Sequence, residues 1–145
     1  MTDSALSSAQ RTLATEIDGL QALSDALGDN FEQAVTKLAE ISGRVIVSGM
    51  GKSGHIGSKI AATMASTGTP AQFVHPGEAS HGDLGMITSN DAVLALSWSG
   101  ETAELANLID YAKRFSIPLI ALTSGADSLL GRLADICITL PKSTE

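Results

Sequence analysis

Apolar positions along the first forty residues recur at helical spacing. Leu6, Leu13, Ile17, Leu20 and Leu27 step by threes, fours and sevens, and Ala9 and Leu23 widen the stripe. The pattern predicts a first helix stopped by Gly28 and a second capped by Asp29 or Asn30. Phe31, Ala34, Val35, Leu38 and Ile41 lie on one side of that second helix, and Gly43 ends it. Two helices ahead of any strand must cover a sheet edge or meet a second subunit; ordinary packing and a dimer arm both remain open.

From Arg44 the period changes. Arg44-Val45-Ile46-Val47 is short and β-branched, Gln72-Phe73-Val74-His75 follows, and Ala92-Val93-Leu94-Ala95-Leu96 is almost wholly apolar. Pro118 to Thr123 and Ile136 to Leu140 complete five predicted strands. Short apolar runs suit strands covered on both faces. Between them lie helical patterns at Ile56, Ile60, Ala61, Met64 and Ala65, at Leu105, Leu108, Ile109 and Ala112, and from Ser128 to Leu133. Strands alternating with helices predict an α/β fold: a three-layer α/β/α sandwich around a five-stranded, parallel, doubly wound sheet, with two helices in front. One domain over residues 1–145 is expected, residues 1–43 being the N-terminal helices and 44–145 the α/β core.

Composition narrows the chemistry. Over 145 residues, 43% are apolar and 17% charged, which excludes a disordered chain. A net charge of −7, no basic run and 3% aromatic residues argue against a nucleic-acid surface. Any anion must therefore be held locally. Cys137 is the single cysteine, so no intrachain disulfide is expected. The N-terminus carries no basic segment ahead of an apolar core, and no apolar run reaches a membrane span. A cytoplasmic, soluble chain is the expectation.

The candidate chemistry sits in the connections that leave the strands at their carboxyl ends. Ser97-Trp98-Ser99-Gly100-Glu101-Thr102 lies between a strand and a helix. A helix N-terminus there presents unpaired N–H groups, and the hydroxyls of Ser97, Ser99 and Thr102 can add donors at the same point. Gly49-Met50-Gly51-Lys52-Ser53-Gly54 satisfies G-x-G-x-x-G. The dinucleotide reading is nonetheless poor, because Lys52 lies inside the turn and the second strand ends without an acidic residue. The segment from His75 to Met86 has no clean period and holds His75, His81, Glu78 and Asp83. Function and a capped turn stand about even there.

Together these turns resemble the sugar isomerase (SIS) domain. His75-Pro76-x-Glu78-Ala79-x-His81-Gly82-Asp83-Leu84-Gly85-Met86 and Gly68-Thr69-Pro70 resemble, more closely, the D-arabinose 5-phosphate isomerase family. The likeness runs from about Arg44 to the end. It implies interconversion of D-ribulose 5-phosphate and D-arabinose 5-phosphate in a homo-oligomer, dimer or tetramer, with sugar phosphate as the partner and neither nucleic acid nor membrane. It places catalytic residues on Lys52, Glu104 and Glu145. It places substrate contacts on Gly51, Gly68, Thr69, His81, Pro141, Lys142 and Ser143, phosphate contacts on Ser53, Ser97, Ser99, Gly100 and Thr102, and a zinc contact on His75. The family pattern departs at Trp98, where relatives carry a small polar amide. It also continues past Glu145, so a fragment of a longer enzyme is expected.

Moving a carbonyl between C1 and C2 through a cis-enediol requires a base, a proton shuttle and stabilisation of oxygen charge, with no redox cofactor. Glu104 or Glu145 is the expected base, Lys52 the electrostatic partner, and His81 the group for ring opening or proton shuttling. Each has a plainer alternative: Glu104 in a first helical turn simply favours the dipole, and His75 bonds backbone at a strand end. A lone histidine is a poor zinc site, so zinc at His75 rests on the resemblance alone. The rival functions are a non-catalytic phosphosugar-binding module and another SIS sugar-phosphate isomerase.

Overall fold

A computed structural model describes residues 4–142. It opens with α1 (Ala5–Ala26) and α2 (Asp29–Glu40), and the sheet strands are β1 (Val45–Gly49), β2 (Ala71–Phe73), β3 (Ala92–Leu96), β4 (Leu119–Thr123) and β5 (Ile136–Thr139). Between the strands lie α3 (Lys52–Ser66), the short α4 (Pro76–Ala79), α5 (Ala106–Arg114) and α6 (Leu129–Leu133), with 3-10 turns at Asp83–Met86 and Ala103–Leu105. All four strand pairings are parallel, in the order β2-β1-β3-β4-β5. The chain winds outward from β1 to β2 and then crosses to β3, so the direction of winding reverses between β1 and β3. A crevice at the carboxyl ends of those two strands is where such a sheet binds ligands.

Alternation along each strand feeds two cores. Ile46, Val93, Ala95, Leu119 and Ala121 pack with Val74, Ala79, Leu108 and Ile109 on one face. Val45, Val47, Leu94, Leu96 and Ile120 pack with Ala34, Leu38, Ile60, Ala61 and Met64 on the other. β1 and β3 are buried at every position, which is why they read as unbroken apolar runs. Helix α3 lies very close to β1: a Cβ on Gly54 would stand 2.6 Å from the Gly49 carbonyl oxygen. Only glycine permits that approach, and it brings the start of α3 directly over the end of β1.

At the amino ends of the strands, Asp91 ties β3 to β1. It is 2% exposed and accepts from the Arg44 N–H at 2.7 Å, the Thr88 N–H at 2.8 Å and the Thr88 hydroxyl at 3.0 Å. Burial pushes its carboxyl up, but the Thr88 and Arg44 hydrogen bonds and the Arg44 charge outweigh it and hold the group below the usual carboxylate value.

The helix starts differ from expectation. Gly28, not Asp29 or Asn30, is the N-cap of α2, with no side-chain cap bond. Its φ of −151° is extended, so it does not stop α1 as a left-handed glycine would; Leu27 closes α1 through Leu23. Asn30 instead donates to the Cys137 carbonyl at 3.0 Å, fastening α2 to β5. Helix α1 buries none of its 22 residues, and Leu6, Leu13, Ile17 and Leu20 are 60–68% exposed. No described helix is long and apolar enough to cross a membrane.

Candidate functional site

β1 and β3 are in register to their ends, Gly49 opposite Leu96. The turns that follow therefore leave from neighbouring strands about 5 Å apart. In the first, Gly51 has φ 57° and caps α3, which begins at Lys52. The Gly54 and His55 N–H groups return to the Met50 and Gly51 carbonyls, whereas those of Lys52 and Ser53 meet no acceptor among the described residues.

The second turn is built from its own hydroxyls. The Ser97 hydroxyl is buried, accepts from the Gly100 N–H at 3.0 Å and shares a 2.7 Å bond with that of Thr102. The Ser99 hydroxyl accepts from the Glu101 N–H at 3.2 Å. Of the three hydroxyls expected to add donors at this point, that of Ser97 is bonded within the turn and shapes it. Gly100 has φ 72°, and a Cβ there would overlap the Ser128 hydroxyl.

Residues well downstream fix this turn. The Trp98 carbonyl accepts from the Ser124 N–H at 2.9 Å, the Ser124 hydroxyl at 2.8 Å and the Thr123 hydroxyl at 3.1 Å, all at the end of β4. In a trans peptide the next N–H points the opposite way. The Ser99 N–H is thereby aimed away from β4, toward the β1 side of β3. It has no protein acceptor among the described residues, and neither do the N–H groups of Thr102 and Ala103. Glu101 does not face the site: its carboxylate accepts from the Leu129 N–H at 2.9 Å and caps α6. Sequence reading missed Thr123, Ser124 and Ser128; the only signal was a hydroxyl-rich cluster after a strand.

The histidine segment leans on the same corner. His75 is the N-cap of α4, its Nδ1 accepting from the Gly77 N–H at 3.2 Å. The Ser80 hydroxyl is 2.8 Å from the Asn107 amide nitrogen, which donates to it from α5. α4 packs against α5 and the Ala103–Leu105 turn that carries Glu104. Lys52, His81 and Glu104 are all exposed on these elements. Beyond Trp98, a cavity of about 790 Å3 separates the turn and Leu140-Pro141 from α1.

The SIS domain family model matches residues 37–145, three-quarters of the chain. The chain belongs to the SIS domain family. This SIS domain is 55% identical, over 129 residues, to arabinose 5-phosphate isomerase KdsD of Pseudomonas aeruginosa, covering 89% of the chain and 40% of that protein. It is 53% identical, over 135 residues, to the KdsD of Yersinia pestis, covering 92% and 41%. The chain thus spans about 40% of the length of these curated relatives. Among solved structures, an Escherichia coli CFT073 protein in complex with A5P superposes with a TM-score of 0.84 at 35% identity, over 99% of this chain and 78% of that one.

Gly51, Lys52, Ser53, Ser97, Ser99, Gly100 and Thr102 thus flank the reversal point of this SIS domain, with Glu104 and His81 on adjoining elements. Pro141 and Lys142 follow β5 at the same end of the sheet, while Ser143 and Glu145 lie outside the described residues. Gly68 and Thr69 do not join them. Val45 donates to the Pro70 carbonyl and pairs with Ala71, which puts Gly68-Thr69 at the amino ends of the strands. The 15 residues of α3 separate them from the corner by about 22 Å. Among the described residues, no group of three or more His, Cys, Asp or Glu side chains that could hold a metal ion forms around His75.

Proposed function

We infer that this domain interconverts D-ribulose 5-phosphate and D-arabinose 5-phosphate. The observation that carries the reading is the set of unpaired N–H groups of Lys52, Ser53, Ser99, Thr102 and Ala103, at one reversal point, beside Glu104. The two KdsD relatives and the A5P complex support the substrate. In a chain of net charge −7, oriented amides hold a phosphate without a basic surface.

With the phosphate anchored there, His81 assists ring opening. Glu104, or Glu145 as the alternative base, takes the C2 proton of the open aldose. Electrons from that C–H bond form the C1–C2 double bond of a cis-enediol, and a proton reaches the former carbonyl oxygen. Returning the carbon-bound proton to C1, with loss of the C2 hydroxyl proton, gives the ketose. The Lys52 ammonium offsets oxygen charge in between. The reaction is proton transfer throughout, and no step is assigned to zinc.

We propose a homo-oligomer, dimer or tetramer, in the cytoplasm. The exposed stripe of α1 supports association, as does the distance of Gly68-Thr69 from the corner, since a second copy can bring them to it. The test is deuterium exchange at C2 of D-arabinose 5-phosphate, followed by NMR in heavy water with the protein containing this chain. Glu104→Gln should slow exchange at least a hundredfold. Unchanged exchange removes Glu104 as the base; binding without exchange in the unaltered protein favours a phosphosugar-binding module instead.

A further inference from the structure

Glu104 and His81, the two residues given proton-transfer roles, lie on separate connections, and a side-chain hydrogen bond joins those connections. The Asn107 Nδ2 donates to the Ser80 hydroxyl at 2.8 Å. Asn107 is the second residue of α5, and Glu104 lies three residues before it, in the turn that runs straight into that helix. Residues three apart share a helical face, so the face that Asn107 turns to Ser80 also carries Glu104. On the other side, Ser80 is the C-cap of α4 and the residue before His81. One bond thus has Glu104 a turn away from one partner and His81 next to the other.

α4 needs such a fastening. It has four residues, too few for a helix to hold by its own backbone bonds, and it buries only Pro76 and Ala79. The Ser80 hydroxyl accepts from Asn107 and donates, at a long 3.5 Å, to the Pro76 carbonyl, so the link from α5 reaches the first residue of α4. The His81 N–H donates to the Glu78 carbonyl at 2.9 Å and the Gly82 N–H to the Ala79 carbonyl at 3.3 Å, which carries the His81 backbone on the end of α4. Gly82 then turns away with φ 134°. Where α4 sits on α5 therefore fixes where the His81 side chain starts. We propose that Ser80 and Asn107 are positioning residues for the isomerisation, their bond holding the backbone of His81 in a set place relative to Glu104. This rests on the proposed sugar-phosphate chemistry and adds to it two residues that act through His81 and Glu104.

Both side chains are exposed, so truncating them opens no cavity in the core. kcat and KM for D-arabinose 5-phosphate are measured with the protein containing this chain, unaltered and as N107A, S80A, N107A/S80A and S80T, with circular dichroism confirming that each is folded. N107A and S80A should each lower kcat about tenfold and leave KM within about twofold, because the amides of the anion corner are untouched. The double variant should be no slower than the slower single one, since the same bond is lost in all three. S80T keeps the hydroxyl and should keep most of kcat. Exchange of the C2 proton in heavy water should fall in step with kcat. Unchanged kcat in both single variants, losses that multiply in the double one, a loss confined to KM, or S80T as slow as S80A overturns the role of the pair and leaves the proposed function standing. No isomerisation by the unaltered protein overturns both.

Discussion

The carboxyl edge of the sheet and helix α1 solve opposite problems. At the edge, nearly every polar group is tied to the chain: Ser97 to Gly100 and Thr102, Trp98 to Thr123 and Ser124, Glu101 to Leu129. Among the described residues, the N–H groups of Lys52, Ser53, Ser99, Thr102 and Ala103 meet no protein acceptor there, and the buried Ser48 hydroxyl near the end of β1 has no partner either. Along α1 it is the apolar groups that remain, with Leu6, Leu13, Ile17 and Leu20 all at least 60% exposed. A corner so completely cross-bonded is rigid before ligand arrives, which is what anion recognition requires. A helix with a free apolar stripe is incomplete until something covers it. The first region therefore speaks for chemistry and the second for assembly.

The comparison breaks most readily at Gly100. Gly100→Ala places a side chain in a left-handed backbone position and against the Ser128 hydroxyl. It should abolish D-arabinose 5-phosphate binding in calorimetry and lower unfolding free energy by about 3 kcal/mol. On the other side, the double change Leu13→Asp and Ile17→Asp should leave the core intact while weakening self-association about a hundredfold, as seen by sedimentation. Coupled loss of mass and of core stability would show that α1 belongs to the core after all.

A smaller effect is expected at Asp91, at the far end of the strands. Its carboxyl is held below its ordinary value, so its contribution to stability is fully present above the unfolded-state value and is lost as pH falls through the folded one. Asp91→Asn should cost about 1–3 kcal/mol near pH 7. The gap from the unaltered protein should close under acid conditions, in denaturation measured across pH. Ligand affinity at neutral pH should not change, because the corner lies at the other end of the sheet.

Much of this was legible in the sequence because both faces of the sheet are covered: apolar runs such as Ala92–Leu96 have no other reading, and the turns between them are marked by glycine and serine. Strand order was not legible, since pairing depends on which crossovers pack, and the reversal point came only with the fold. The bonds of Ser97 to Gly100 and Thr102 were not legible, because a hydroxyl in a turn looks the same whether it faces ligand or backbone. Thr123 and Ser124 were passed over because their partner, the Trp98 carbonyl, lies about 25 residues earlier in the chain, beyond any local pattern. Gly68 and Thr69 entered through resemblance, which transfers contacts without saying from which copy they come.

The most direct test is an amide NMR titration of the chain with D-arabinose 5-phosphate, with inorganic phosphate as the comparison probe. The Lys52, Ser53, Ser99, Thr102 and Ala103 amides should shift together with one dissociation constant, and phosphate alone should move the same set more weakly. Saturable shifts confined to other amides, with these five unmoved, would contradict an anion corner formed by the two turns.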